Sequence, residues 1–167
     1  MIKVYDDFFP SDIHQEIVHN IGRKSWTFTG GGGFEGYDTS RSNFWHIDGL
    51  EKEEYYSKYL YDIICKNLNI EIGGFSRIYC NGQTASQSGV PHIDDCDITF
   101  LYYPNTLWKI HWDGHLMFLD GDEIIKSVSY KPNRAVIFSS KIWHYATAPS
   151  FECPALRISL AYKLLLK

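Results

Sequence analysis

The chain has 167 residues, 44% of them hydrophobic, 22% charged and 16% aromatic, with a formal net charge of -4. That length builds one domain with a sizeable core and is too short for two ordinary ones. The acidic balance offers no basic field for duplex nucleic acid or an anionic membrane, and no apolar run approaches the roughly 20 residues of a membrane span, so both partners are disfavoured.

The opening Met1-Ile2-Lys3-Val4-Tyr5 lacks a signal-peptide core, which predicts a soluble protein. Ser11 is placed to cap a helix whose apolar positions Ile13, Ile17, Val18 and Ile21 share a face, with Gly22 as its stop. Residues 29–42 are polar and glycine-rich without a period, and read as a mobile surface loop. Within it Gly31-x-Gly33-x-x-Gly36 matches a dinucleotide fingerprint in form. With no helix after it and no βαβ unit around it, the motif has no phosphate-cradling scaffold. The segment is better read as a lid over an active site, with Trp26, Arg41 and Trp45 as candidate substrate contacts.

A second helical pattern spans 51–67, with Tyr56, Tyr59, Leu60, Ile63 and Ile64 as its buried stripe. From Phe75 onward the pattern changes to short runs of β-branched and aromatic residues, broken by turn signals at Asn81-Gly82, Pro104-Asn105, Asp120-Gly121 and Pro132-Asn133. Strands are expected at 75–80, 97–103, 115–119, 124–130, 135–139, 143–148 and 156–165. Such a series without intervening helices predicts a mainly β fold, a barrel or double sheet of jelly-roll type. Residues 1–70 supply helical support and the loop, and 75–167 the β core. Cys65, Cys80, Cys96 and Cys153 are irregularly spaced with no Cys-x-x-Cys pair. They read as reduced thiols in a cytoplasmic compartment.

The chemistry concentrates at Pro91-His92-Ile93-Asp94 and at His144. A strand sends alternate side chains to one face, so His92 and Asp94 can meet one ion while Ile93 turns away, and His144 closes the third corner. Two imidazoles and one carboxylate on one side of a metal leave positions open, the arrangement of a non-heme Fe(II) oxygenase. His111-Trp112-Asp113 is a second His-x-Asp and a rival for the same role.

The ordered pieces Arg77-Ile78-Tyr79-Cys80-Asn81-Gly82-Gln83, His92-Ile93-Asp94, Thr99-Phe100-Leu101-Tyr102-Tyr103-Pro104-Asn105, the segment from Trp108 to Leu116, Asn133 to Ser140, His144 and Arg157-Ile158-Ser159-Leu160 carry a resemblance. Together they resemble the 2-oxoglutarate- and Fe(II)-dependent oxygenases, in particular the prolyl 4-hydroxylase-like branch. The resemblance covers residues 75–163 and favours the His92 pair over the His111 pair.

The resemblance implies a double-stranded β-helix in which His92, Asp94 and His144 bind Fe(II) and carry the catalysis. It implies 2-oxoglutarate and O2 as cosubstrates, with ascorbate as an accessory. Arg157 would hold the distal carboxylate of 2-oxoglutarate, with Ser159 on the same strand face, Tyr79 and Tyr103 as hydrogen-bond donors and Leu116 against the cosubstrate's chain. Three departures stand out: Asp113-Gly114 replaces a Gly-Gly pair, the second His-x-Asp is present, and the interval from His144 to Arg157 is long. That interval admits Arg77 or Lys163 as the cation instead. The implied reaction hydroxylates an unactivated carbon, in a prolyl residue of a peptide or protein or in a free small molecule, releasing succinate and CO2. Dealkylation of nucleic-acid bases and a noncatalytic jelly-roll binding module are the alternatives. Net acidity, and Lys163 where a second arginine would stand, count against the first; the triad with Arg157 counts against the second.

Overall fold

Strand alternation on β10 (Arg157–Leu166) organises the molecule. Ile158, Leu160, Tyr162 and Leu164 turn to one face and join a core with the helices, while Arg157, Ser159, Ala161 and Lys163 turn to the other. The structure, a computed structural model, describes residues 1–30 and 43–167. The glycine motif at 31–36 and Arg41 lie outside the described residues.

In chain order the elements are β1 (Ile2–Tyr5), α1 (Ser11–Gly22), β2 (Thr27–Gly30), β3 (Asn43–Ile47), α2 (Tyr61–Leu68), β4 (Ile72–Gln83), β5 (Ile98–Tyr102), β6 (Leu116–Asp120), β7 (Glu123–Val128), β8 (Ala135–Ser139), β9 (Trp143–Ala146) and β10. They form two antiparallel sheets, ordered β1-β8-β5-β10-β4-β3-β2 and β7-β6-β9. This is the expected mainly β, jelly-roll architecture.

The larger sheet is covered on both faces. On one, Ile17 and Ile21 of α1 and Leu60, Ile64 and Leu68 in and before α2 pack against Ile78, Phe100, Ile137, Leu160 and Tyr162. On the other, Tyr103, Val136 and Phe138 meet Leu116, Phe118 and Val128 from the smaller sheet. The first core is the larger, and it fixes the strands whose opposite face builds the site. No helix among the described residues is long and apolar enough to cross a membrane.

Several sequence expectations change. Ser11 is the first helical residue rather than the cap; Pro10 holds that position without a side-chain cap bond. The helix expected over 51–67 is three pieces: a 3-10 turn at Leu50–Lys52, a π-helical segment at Tyr55–Leu60, and α2. Its buried residues recur every four positions, at Tyr56, Leu60, Ile64 and Leu68, which leaves Tyr59 exposed. Residues four apart share a helix face, so one buried stripe runs from the π-helical segment into α2. Asn81-Gly82 is no turn: both lie inside β4. A Cβ on Gly82 would meet Leu156 at 2.7 Å and Trp26 at 3.0 Å, so glycine there lets two large side chains lie on the strand. Strands β1, β2 and β3 were not expected, and β2 takes in Thr29 and Gly30 from the segment read as loop.

Candidate metal centre

His144 stands on β9, and its backbone exchanges two hydrogen bonds with His92, at 3.0 and 2.9 Å, forming an isolated antiparallel bridge. His92 and Asp94 therefore do not belong to a continuous strand, as alternation suggested. One bridge sets His92 beside His144, and the Asp94 amide bonds the Ser140 carbonyl at 2.9 Å. Local pairing does what a strand was expected to do.

The side chains converge. One ligand atom from each of His92, Asp94 and His144 lies within 4.8 Å of the others, and among the described residues this is the group with that property. Each histidine Nδ1 lies 2.9 Å from a carbonyl two residues earlier, that of Val90 for His92 and of Ile142 for His144. A carbonyl only accepts, so each Nδ1 carries the proton and each Nε2 presents a lone pair. The Nε2 atoms stand 3.5 Å (His92) and 3.4 Å (His144) from the Asp94 carboxylate. Burial pulls His144 below its ordinary pKa, although Asp94 opposes this, so the ring favours its neutral form. Burial would raise Asp94, but the His144 and His92 rings beside it and the Lys163 ammonium outweigh that and hold the carboxyl well below the carboxylate range. Lone pairs on Nε2 facing a carboxylate repel it unless a cation stands between them. The donor set fits Fe(II), with two imidazoles and one carboxylate on one side.

Beside the triad is a cavity of about 80 Å³ lined by both sheets. Arg157 reaches it from β10 and is 1% exposed. Its Nε donates to the Gly114 carbonyl at 2.7 Å and one terminal nitrogen donates to Gln83 Oε1 at 2.9 Å; the other terminal nitrogen is buried with no hydrogen-bond partner. Its guanidinium carbon lies 5.4 Å from the Tyr103 ring centre and 5.2 Å from that of Tyr130. No carboxylate pairs with Arg157 within ion-pair distance among the described residues. A buried cation lacking an anion, with a donor to spare, is what an incoming carboxylate satisfies. Gly114 makes room: its φ is +75°, and a Cβ there would meet Arg157 Cδ at 2.9 Å.

Of the residues assigned to 2-oxoglutarate, Tyr79, Leu116, Arg157 and Ser159 line the cavity. Tyr103 is fully buried behind Arg157, its hydroxyl without a partner, and is not among the lining residues. Arg77 is directed elsewhere, bonding Asp48 at 2.5 Å on the exposed surface. His111 and Asp113 are not part of the converging group. Trp26 packs on the helix-side core, and Trp45 stacks on Phe28 with ring centres 5.0 Å apart; neither lines the cavity. Alternation on β3 explains the second case, because Trp45 pairs with Gly82 while its neighbour Phe44 faces inward. Phe44, Asn81, Gln83 and Thr99 went unread as site residues, yet Asn81 and Gln83 share the alternating face of Tyr79.

No family model matches the sequence, and no curated protein matches it. Solved structures do. A prolyl hydroxylase from Trichoplax adhaerens, in complex with a hypoxia-inducible-factor oxygen degradation domain peptide fragment, superposes with a TM-score of 0.71 at 19% identity, covering 98% of this chain and 83% of that one. The chain has the fold of these oxygenases. A Pseudomonas putida prolyl-4-hydroxylase gives a TM-score of 0.67 at 15% identity over 99% of this chain and 92% of that chain. A 2OG-Fe(II) oxygenase family oxidoreductase from Burkholderia pseudomallei gives 0.66 at 10% identity over 98% and 84%. At such identities the likeness is one of architecture.

Proposed function

We propose that this chain is an Fe(II)- and 2-oxoglutarate-dependent oxygenase, in which His92, Asp94 and His144 hold the metal and Arg157 holds the distal carboxylate of the cosubstrate. The observation that carries this is the pairing, in one cavity, of three converging lone-pair donors with a buried guanidinium that has a nitrogen to spare. Bound iron supplies the activation of dioxygen, coupled to decarboxylation of 2-oxoglutarate to succinate and CO2.

The chain's own residues do the rest. Carbonyls of Val90 and Ile142 fix both imidazole orientations, so the metal donors are set before the metal arrives. Arg157, backed by the Tyr103 and Tyr130 rings, binds and orients the cosubstrate, and Leu116 presents an apolar wall to its carbon chain. Phe118 and Phe138 pack about His144, tilted and edge-on, with ring centres 6.3 and 4.6 Å away, and keep water from that side. The His92 side chain is 36% exposed while those of His144 and Asp94 are 6% and 7% exposed, so the acceptor approaches from the His92 side.

The acceptor we favour is a prolyl residue in a peptide or a small molecule carrying an unactivated C–H bond. Two of the structures it resembles are prolyl hydroxylases, one of them solved with a peptide. Purified protein should convert 2-oxoglutarate to succinate only with Fe(II), and His92→Ala or Asp94→Ala should abolish this. Undiminished turnover in those variants refutes the site. Screening proline-containing peptides and metabolites for acceptor-stimulated succinate release then separates the two acceptor classes.

A further inference from the structure

The cavity holds a second cation. Lys163, also on β10, is 9% exposed, and its ammonium pairs with Asp94 Oδ2. It stands 3.4 Å from the Thr99 hydroxyl and 5.6 Å from the Tyr79 ring centre. Six residue steps along the strand separate it from Arg157, about 20 Å along the backbone, so the two cations act at different places in the site.

The contacts divide the two oxygens of Asp94. Oδ2 accepts from the Thr99 hydroxyl at 2.5 Å, pairs with Lys163 and lies 3.4 Å from His144 Nε2. Oδ1 faces His92 Nε2 at 3.5 Å. Oδ2 is occupied by donors, and Oδ1 is left to bind. We propose that Lys163 is a positioning residue of the metal centre: it commits Asp94 to ligation through Oδ1 alone, and its fixed charge weakens the site for cations. This rests on the reading of His92, Asp94 and His144 as metal ligands.

The second half follows from charge. An ammonium paired with the ligand carboxylate cancels much of the negative potential that attracts a metal ion. Repulsion scales with the ion's charge, so a trivalent ion is penalised more than a divalent one, and the site favours the ferrous state. Thr99 and the Asp94 amide bond to Ser140 hold the carboxylate without help from lysine. Removing the lysine charge therefore tightens metal binding, whereas loss of a merely structural residue would only weaken it.

The test is a Mn(II) titration without 2-oxoglutarate, following free Mn(II) by electron paramagnetic resonance. Lys163→Met should bind Mn(II) about tenfold or more tightly than the wild type, and Lys163→Arg, which keeps the charge, should stay within about threefold of it. Equal or weaker binding by Lys163→Met overturns the proposal. If His92→Ala and Asp94→Ala bind Mn(II) as the wild type does, the metal-ligand reading falls instead. Circular dichroism checks folding, and Lys163→Gln takes the place of a Met variant that does not fold.

Discussion

Asp113 carries backbone strain. Its φ and ψ are 55° and -133°, a region glycine occupies freely and other residues rarely. The side chain gives little back: Oδ1 lies 3.8 Å from His115 Nε2 and the carboxylate is largely exposed. Glycine would remove about 1–3 kcal/mol of strain and cost about 0.5–1 kcal/mol in unfolded-state entropy. Asp113→Gly should therefore stabilise the protein by about 1 kcal/mol, read as a higher urea midpoint at unchanged slope. A lower midpoint would contradict the strain. The departure from Gly-Gly was legible in the sequence, but the dihedral behind it was not, since one residue's φ depends on what the following glycine must clear. His92, Asp94 and His144 were legible as residue types at suitable spacing. How they meet was not, because a single backbone bridge between distant segments leaves no periodic signal.

At the scale of the element, β10 shows why strands were easier to read than helices. Its alternation separates a helix-facing row from a cavity-facing row, and the two should fail differently. Leu160 is fully buried in the helix-side core, so Leu160→Ala should cost about 2–5 kcal/mol. Because its side chain points away from the cavity, affinity of the folded protein for 2-oxoglutarate should not change; calorimetry showing a weakened site would mean that the two faces are coupled. Short β1 was missed, since four residues carry too little alternation, and an ion pair follows directly at Asp6. Asp6 accepts from Arg134 Nε at 2.6 Å and Lys131 Nζ at 3.0 Å. The Arg134 bond first, then Lys131, holds its carboxyl at about 2 against an ordinary 3.8, with burial opposing. A lowered folded-state pKa adds stability above the unfolded value, and that stability is lost as pH falls from about 4 towards 2. Solvent exposure of the pair limits the gain to about 0.5–1 kcal/mol. Asp6→Asn should be less stable than the wild type by that amount at pH 7, and the gap should shrink as pH falls from about 4 towards 2. A gap that is undiminished at pH 2 would rule out the ion pair as its source.

For the molecule as a whole, stability and function are opposed at Arg157. Burying a cation without an anion is costly, and the fold bears that cost in the absence of cosubstrate. Binding should repay it. A ligand held only by the folded state at about 100 times its Kd adds about 2.7 kcal/mol. In a chain of this length each kcal/mol moves Tm by about 2–4 °C, so 2-oxoglutarate added with Mn(II) should raise Tm by about 5–10 °C beyond Mn(II) alone. Arg157→Met should keep the shift from Mn(II) and lose the increment from 2-oxoglutarate, while His92→Ala should lose both. Because Mn(II) supports the fit without rapid turnover, the scan reads binding rather than catalysis. An Arg157→Met protein that retains the full 2-oxoglutarate increment would move the distal carboxylate to another cation in the cavity, and Lys163 is then the residue to substitute next.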